Sequence, residues 1–438
     1  MRLYSTKNKA EFASLREAVL KGLPSDNGLY MPESIPRLPQ HFLEDIRSYS
    51  FPEIAFEVSK CLLQGALPEA DLKRIIAEAV NFEAPVVKLD DEARVLELFH
   101  GPSLAFKDFG ARFMAQLMSY FNQGESGELV ILVATSGDTG GAVAAGFLQT
   151  PGTRVVILYP SGKVSDLQEK QLTTLGHNIT ALEVSGTFDD CQAMVKQAFL
   201  DEELNAKIRL TSANSINISR LIPQMFYYFE AYKQIEPGRE VVFCVPSGNF
   251  GNLTAGLLAQ RMGLPVKHFI AATNVNDVVP EYLSSGSYRP RPSKATLSNA
   301  MDVGNPSNFA RMLDLYAELE ERSTWNNMKA QVSGYAYTDE ATRGAVREVY
   351  DKYGYVIDPH GAVGYLALKE YQAAHPGLVG VVLETAHPAK FLPDVVAILG
   401  QEIPVPRRLG ELAERQKVAI SMPPEFLPFK SWLLSELA

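Results

Sequence analysis

The chain has 438 residues, enough for about two to four domains of ordinary size. Hydrophobic residues make up 46% and charged residues 21% of it, a balance that excludes a disordered chain, a collagen-like fibre and a disulfide-stapled miniprotein. The formal net charge of −10 creates no basic field that would attract nucleic acid or anionic lipid, so local donors must hold any anionic ligand.

The cysteines and the apolar stretches point to a cytoplasmic protein. Cys61, Cys191 and Cys244 lie far apart in the sequence, as is typical of buried thiols in a reducing compartment. The first residues lack the apolar run of a signal peptide. The most apolar stretch, which begins at Leu129, is interrupted by Asp138 and several glycines, so we expect no membrane span.

The first 90 residues differ in pattern from the rest of the chain. Residues 9–21, 43–63 and 69–82 are charged and have helical periodicity, and prolines punctuate the segment 23–39. We therefore predict that residues 1–90 form a separate, mainly helical N-terminal module.

Short β-branched runs alternate with helix-length amphipathic segments from Leu129 onward. Continuous apolar strands followed by helices predict an α/β fold with parallel-rich sheets covered by helices. The predicted strands are 129–134, 155–159, 179–184, 241–245, 267–272 and 379–383, and the predicted helices include 189–199, 219–232 and 254–262. Ligands of such folds bind at the carboxyl ends of the strands, so the strand-to-helix loops are the places to search for a site.

Three loops place small residues, hydroxyls and amides before a helix: residues 135–141, 214–220 and 246–252. Free backbone N–H groups and the helix dipole converge at such positions and favour an anion. Each loop alone could be an ordinary turn with a helix cap. Three together favour a ligand with several anionic groups, and no loop matches the P-loop or a clean dinucleotide-binding fingerprint.

A fourth segment, residues 100–110, places Lys107 between Phe106 and an Asp-Phe pair after a Gly-Pro turn. Apolar surroundings lower the pKa of a lysine, which favours a Schiff-base role. The alternative is a lysine that pairs with Asp108. A fifth loop, 384–391, ends the last apolar strand and presents Thr385, which could bind an aromatic ring or be part of an ordinary strand exit.

Five signatures from these segments resemble the threonine synthase family, whose members are pyridoxal-phosphate enzymes of fold type II, the tryptophan synthase β-like fold. They occur in the family's order along the chain, at 100–110, 134–140, 214–220, 246–252 and 385–391. The resemblance runs almost from end to end, and residues 1–90 resemble the N-terminal module of the enterobacterial and fungal type. It implies a large domain that binds the cofactor, built from 91–120 and 235–438, and a small α/β domain at 121–234.

The resemblance implies that Lys107 forms a covalent aldimine with pyridoxal 5'-phosphate. It also implies that Thr385 binds the pyridine nitrogen and that Asp138, where many relatives carry Asn, lies near the ring hydroxyl. The loop implied to bind the cofactor phosphate consists of Gly248, Asn249, Phe250, Gly251 and Asn252.

The implied substrate is O-phosphohomoserine, which adds a carboxylate and a phosphate to the anionic groups of the site. The resemblance assigns the substrate carboxylate to Thr135, Ser136 and Thr139, and the substrate phosphate to Asn214 and Arg220. Arg112, one turn beyond Asp108, is a further phosphate candidate or a surface ion-pair partner. No metal, nucleic acid, membrane or obligate protein partner is expected.

The reaction that the resemblance implies is γ-elimination of phosphate followed by addition of water at Cβ, which yields L-threonine. Two alternatives stay open at this point. The first is a dehydratase or phospho-lyase of the same fold that releases 2-oxobutyrate. The second is a catalytically silent binding or regulatory protein, against which the intact Lys107 argues.

Overall fold

A computed structural model describes residues 1–135, 137–317 and 323–438 of the chain. The described strands, in chain order, are β1 (Arg2–Ser5), β2 (Phe12–Ser14), β3 (Tyr30–Pro32), β4 (Val86–Lys88), β5 (Ala93–Glu97), β6 (Leu129–Ala134), β7 (Thr153–Pro160), β8 (Ile179–Val184), β9 (Arg209–Ser212), β10 (Val241–Pro246), β11 (His268–Thr273), β12 (Val332–Ala336), β13 (Val379–Glu384) and β14 (Ile420–Met422).

The described α-helices alternate with these strands. They are α1 (Leu15–Lys21), α2 (Gln40–Glu44), α3 (Phe51–Leu63), α4 (Glu69–Ala79), α5 (Lys107–Asn122), α6 (Asp138–Phe147), α7 (Asp166–Thr173), α8 (Phe188–Leu200), α9 (Glu202–Lys207), α10 (Ile218–Leu221), α11 (Phe226–Gln234), α12 (Gly251–Arg261), α13 (Val278–Ser285), α14 (Phe309–Ala317), α15 (Thr324–Lys329), α16 (Asp339–Tyr353), α17 (Pro359–Ala374), α18 (Leu392–Leu399), α19 (Arg407–Ala413) and α20 (Phe426–Leu437).

Two parallel-rich sheets form the body of the molecule, as the apolar runs predict. The described residues of the larger sheet form six strands in the order β12-β11-β10-β13-β5-β4, which are parallel except for the β4–β5 hairpin. The smaller sheet has the order β14-β8-β7-β6-β9 and is parallel throughout. Every residue of β6, β10 and β13 is buried, because helices cover both faces of each sheet.

The N-terminal region contains the predicted helices and also a small sheet. The helices α1 to α4 lie within the first 90 residues, but β1, β2 and β3 form an antiparallel sheet in the order β2-β1-β3. These strands have only three or four residues each, too few to give a readable alternation in the sequence.

The C-terminal residues lie in a different place from the one that the sequence predicts. The family resemblance assigns 235–438 to the larger domain, but β14 pairs with β8 of the smaller sheet. Met422, together with Phe429 and Leu433 of α20, buries its side chain in the same core as Cys191 and Met194 of α8. Burial of this apolar face is the physical reason that the segment returns to the smaller sheet.

None of the helices in the described part of the chain combines the length and the apolarity that crossing a bilayer requires.

Candidate active site

Lys107 and Thr385 are brought together by main-chain hydrogen bonds between two loops. Each loop follows a neighbouring strand of the larger sheet, β5 or β13. The Phe106 N–H donates to the Thr385 carbonyl at 2.9 Å, and the His387 N–H donates to the Leu104 carbonyl at 3.0 Å. Leu104 adopts a left-handed φ of 58°, a strained backbone conformation that the pairing of the two loops holds in place.

The environment of Lys107 favours its neutral amine. Lys107 is half-buried and is the first residue of α5, where the helix dipole disfavours a positive charge. Burial is the main cause that lowers the pKa of Lys107 to about 8; the Asp138 carboxylate opposes this effect, and Arg220 and Lys390 add to it. A larger fraction of Lys107 is therefore neutral and nucleophilic near neutral pH than for an ordinary lysine.

Asp108 braces the turn before α5. Its Oδ2 accepts the Ser103 N–H at 2.8 Å, and the whole side chain is buried. Burial raises the pKa of Asp108 to about 6. The alternative interpretation of Lys107, a lysine paired with Asp108, is therefore not the arrangement that the structure shows.

Asp138 forms a buried ion pair with a residue that sequence reasoning missed, Lys390. Lys390 Nζ lies 2.6 Å from Asp138 Oδ1 and also donates to the Ser103 carbonyl at 2.9 Å. Gln168 Nε2 of α7 donates to the same Asp138 oxygen at 3.2 Å. Burial alone would raise the pKa of Asp138, but the charges of Lys390 and Lys107 outweigh it and hold that pKa well below its ordinary value.

The sequence does contain a signal for Lys390. A buried aspartate needs a compensating partner, and Lys390 stands between Ala389 and Phe391 in an apolar stretch. What the sequence lacks is the information that loop 385–391 meets α6 of the other sheet.

The predicted phosphate loop lies between β10 and α12. Phe250, the residue before α12, has a left-handed φ of 61° and carries no polar atom that could cap the helix. The first N–H groups of α12 therefore lack the side-chain cap that Ser, Thr, Asp or Asn would supply. A Cβ at Gly248 would stand 2.5 Å from the Ala300 carbonyl oxygen, so only glycine fits this close approach.

The two asparagines of this loop play different structural roles. Asn249 Nδ2 donates to Ser215 Oγ at 2.6 Å, which ties the phosphate loop to the 214–220 loop. Asn252 Oδ1 accepts the hydroxyl groups of Tyr227 and Tyr228, both at 2.7 Å. Asn252 Nδ2 is buried and has no hydrogen-bond partner among the described residues, so this donor is available to a bound group.

Arg220 lies beneath the start of α5. Its Nη1 donates to the Ala213 carbonyl at 2.7 Å, directly before Asn214, and its side chain is buried. A Cβ at Gly110 would stand 2.8 Å from Arg220 Nε, so the absence of a side chain at Gly110 makes room for the guanidinium. Asn214 itself is half-buried at the edge of this loop.

A second buried arginine, Arg311 of α14, holds the 214–220 loop from behind and was not identified from the sequence. It donates through Nη2 to the Ile216 carbonyl at 2.7 Å, through Nη1 to Asn308 Oδ1 at 2.7 Å, and through Nε to the Tyr30 carbonyl at 3.2 Å. Arg311 therefore links this loop to the N-terminal sheet.

The predicted carboxylate loop before α6 is partly occupied by its own contacts. The Thr135 hydroxyl accepts the N–H groups of Gly137 at 3.1 Å and Gly140 at 2.9 Å, so it shapes the loop. Thr139 is half-buried in the first turn of α6. Ser136 lies outside the described residues.

Arg112 is not brought to Lys107. A separation of five residues on α5 rotates its side chain by about 140° from that of Lys107. Its Nη2 donates to the Glu78 carbonyl of α4, in the N-terminal region. The structure thus gives no support to Arg112 as a phosphate ligand.

The arrangement fits pyridoxal phosphate on three structural grounds. A lysine with a lowered pKa can bond to the aldehyde, and the uncapped start of α12 beside Gly248 can hold a phosphate. The buried, unpartnered amide of Asn252 supplies a further donor at the start of the same helix. The described residues contain no cluster of three His, Cys, Asp or Glu side chains arranged to hold a metal ion.

Comparison with protein families gives three matches that follow one another along the chain. Residues 2–80 match the family described as threonine synthase N terminus, and residues 88–384 match the pyridoxal-phosphate dependent enzymes. Residues 361–427 match the threonine synthase C-terminal family.

Full-length relatives agree with these matches. The chain is 46% identical to threonine synthase of Serratia marcescens over 436 residues, covering 99% of each chain. It is 44% identical over 437 residues to the Escherichia coli enzyme, covering 99% of this chain and 100% of that one.

Solved structures extend the likeness to the fold. The crystal structure of Escherichia coli threonine synthase, 43% identical, matches with a TM-score of 0.91 over 99% of this chain and 100% of that one. A threonine synthase from Brucella melitensis with bound pyridoxal phosphate, 36% identical, matches with a TM-score of 0.92 over 99% and 98% of the two chains. The chain belongs to the threonine synthase family of pyridoxal-phosphate-dependent enzymes.

Proposed function

We propose that this chain converts O-phospho-L-homoserine and water into L-threonine and phosphate, with pyridoxal phosphate attached to Lys107. The observation that carries the proposal is the environment of Lys107, a half-buried lysine with a lowered pKa at the start of α5, in a chain that matches threonine synthases along its full length. We expect the protein to be located in the cytoplasm.

We assign a group of residues to each part of the cofactor. We assign its phosphate to the 248–252 loop, where α12 begins without a side-chain cap. We assign the ring nitrogen to Thr385, which the loop pairing holds beside Lys107. Asp138, kept anionic by Lys390, is assigned to the ring hydroxyl. When bound, the cofactor withdraws electrons from the substrate and so stabilises negative charge at its α-carbon.

The substrate has two anionic groups, and we assign a separate loop to each. Ser136, in the sequence of the loop before α6, and Thr139, in the first turn of α6, are assigned to the carboxylate, and Thr135 shapes that loop. Asn214 and Arg220 are assigned to the substrate phosphate, and Arg311 fixes the loop that carries Asn214. These are the two remaining loops in which backbone N–H groups before a helix favour an anion.

Lys107 is assigned the proton transfer at the α-carbon of the substrate. A base with a pKa of about 8 is neutral in a useful fraction near neutral pH and still accepts a proton readily. Lys390 cannot easily take this role, because its Nζ is buried and engaged by Asp138 and the Ser103 carbonyl.

A product assay tests the proposal. Purified protein with pyridoxal phosphate and O-phosphohomoserine should release threonine and phosphate in equal amounts. Phosphate accompanied by 2-oxobutyrate in place of threonine would identify the competing phospho-lyase. Absence of phosphate release, in protein that has bound the cofactor, would favour a silent binding protein. Inorganic phosphate and each amino-acid product are quantified in the same reaction, and the Lys107→Ala variant serves as the control.

A further inference from the structure

A buried hydrogen-bonded chain runs from the end of β13 to α17. Glu384, the residue before Thr385, accepts the Asp358 N–H through Oε1 at 2.6 Å. Asp358 then caps α17, because its Oδ1 accepts the Gly361 N–H at 2.7 Å. Glu384 and Asp358 are both fully buried. The start of α17 is thereby fixed relative to the loop that carries Thr385.

His360, in the first turn of α17, continues this chain toward the phosphate loop. Its Nδ1 lies 2.6 Å from Asp358 Oδ2, and its Nε2 accepts the Ala300 N–H at 3.2 Å. Because Nε2 acts as the acceptor, the ring proton is on Nδ1, facing Asp358. The His360 side chain is buried, so its ring has little freedom to turn.

The turn that His360 holds is the one that lies against Gly248. A Cβ at Gly248 would stand 2.5 Å from the Ala300 carbonyl oxygen and 2.9 Å from Met301 Cα. The far side of the turn is held independently, since Asn274 Nδ2 donates to Asp302 Oδ1 at 2.9 Å. His360 is therefore the contact from α17 that fixes how closely residues 300–301 approach the phosphate loop.

His360 also contacts the loop that follows β13. Its ring centroid is 5.0 Å from that of Phe391, the residue after Lys390. One buried side chain thus contacts both the turn beside Gly248 and the loop that carries Thr385 and Lys390.

We infer that His360, oriented by Asp358, is a positioning residue for the phosphate end of the cofactor. It holds the 300–301 turn against Gly248 and so sets the position of the N–H groups at the start of α12. In this account His360 touches neither cofactor nor substrate. The inference rests on the proposed attachment of pyridoxal phosphate at this site.

The first test measures pyridoxal phosphate affinity in the full-length protein. His360→Ala should raise the dissociation constant of pyridoxal phosphate at least tenfold and shift the ³¹P resonance of the bound phosphate. With the cofactor saturating, kcat should stay within threefold of the parent value, because the defect lies in holding the phosphate. His375→Ala is the matched control, since His375 lies at the other end of α17, where it contacts Tyr371. That variant should leave both the affinity and the ³¹P resonance unchanged.

Two further variants separate positioning from general stability. His360→Gln retains an acceptor for the Ala300 N–H and should recover affinity to within about threefold of the parent. Asp358→Asn can still cap α17 through its side-chain oxygen. Its amide N–H would donate to His360 Nδ1, which places the His360 ring proton on Nε2, where it faces the Ala300 N–H, a second donor. That variant should therefore weaken cofactor binding at least fivefold with little change in the melting temperature of the apoprotein.

The outcomes are distinguishable from failure of the proposed function. A folded His360→Ala variant with parental affinity and an unshifted ³¹P resonance would overturn the inference. If His360→Ala does not fold, parental affinity in Asp358→Asn would overturn it equally. A parent protein that binds pyridoxal phosphate but forms no threonine defeats the proposed function, while the affinity comparison still decides the role of His360.

Discussion

Replacing Lys390 by methionine removes the cation from the buried ion pair at the centre of the site. The side chain of Lys390 is fully buried, and its Nζ lies 2.6 Å from Asp138 Oδ1. Methionine keeps much of the length and apolar volume of lysine, so the change acts on charge and hydrogen bonding rather than on packing. The Ser103 carbonyl loses the Lys390 donor as well.

The expected cost follows from the burial of both partners. Removing one member of a buried pair leaves an uncompensated charge and typically costs about 3–5 kcal/mol. The free energy of unfolding of a typical protein is about 5–15 kcal/mol, so this one change removes a large share of it. Gln168 still donates to Asp138 at 3.2 Å and the charge of Lys107 still favours the Asp138 carboxylate, so the expected loss lies toward the lower end.

Urea unfolding of the apoprotein, followed by circular dichroism, measures this cost without a contribution from cofactor binding. Urea is suitable because it does not screen the ion pair, whereas a guanidinium salt would. The matched variant is the double substitution Lys390→Met with Asp138→Asn, in which both charges are absent. It should lose at least about 1 kcal/mol less than the sum of the two single variants, because contacting residues are coupled.

Two results would show that the Lys390–Asp138 pair does not stabilise the protein in this way. One is a Lys390→Met variant whose free energy of unfolding stays within about 1 kcal/mol of the parent, a size typical of an exposed pair. The other is a double variant whose loss equals the sum of the single losses, which would show that Lys390 and Asp138 do not interact.

Three further predictions concern the same site. Because the pKa of Lys107 is lowered to about 8, its neutral form appears as the pH rises through that value. The rate of pyridoxal phosphate attachment to the apoprotein should therefore increase about tenfold from pH 7 to 9 and then level off. A rate that keeps rising about tenfold per pH unit up to pH 10 would contradict the lowered pKa. Gly248→Ala should weaken cofactor binding at least tenfold, because its Cβ would collide with the Ala300 backbone. The control Gly344→Ala in α16 meets no atom within 4 Å and should add up to about 1 kcal/mol of stability. Parental cofactor affinity in Gly248→Ala would be inconsistent with the close approach. Arg112→Ala should change KM for O-phosphohomoserine less than threefold, since this guanidinium contacts the Glu78 carbonyl. A KM raised tenfold or more in steady-state kinetics would show that Arg112 takes part in substrate binding.

Most interior strands of both sheets could be predicted from the sequence, but the interior strand β5 and the edge strands could not. The run 129–134 coincides with β6, because a strand buried on both faces is apolar throughout. The run 179–184 coincides with β8, in which the apolar residues are buried and Thr180 and Glu183 are half-buried. β12 carries an exposed or half-buried residue at most of its positions, and β14 has only three residues. Such segments become strands because a neighbouring strand pairs with them, and one sequence does not contain that information.

The sequence located the loops of the site better than the contacts within it. Lys107 stands out because apolar residues surround it, and the Gly248 loop stands out because it precedes a helix. Lys390 and His360 act through partners distant in sequence, Asp138 and Ala300, so their roles depend on how the two sheets and their loops meet. Thr135 carries the hydroxyl expected of a ligand, yet the nearby N–H groups of its own loop occupy that hydroxyl.

The attachment of the cofactor to Lys107 is tested by locating the lysine that carries it. The site contains two lysines, Lys107 and Lys390, and only Lys107 is free of a buried ion pair in the described structure. Protein saturated with pyridoxal phosphate is reduced with borohydride, digested and examined by mass spectrometry. We expect one pyridoxyl group per chain, on the peptide that contains Lys107. A pyridoxyl group on Lys390, or none on either lysine, would contradict it.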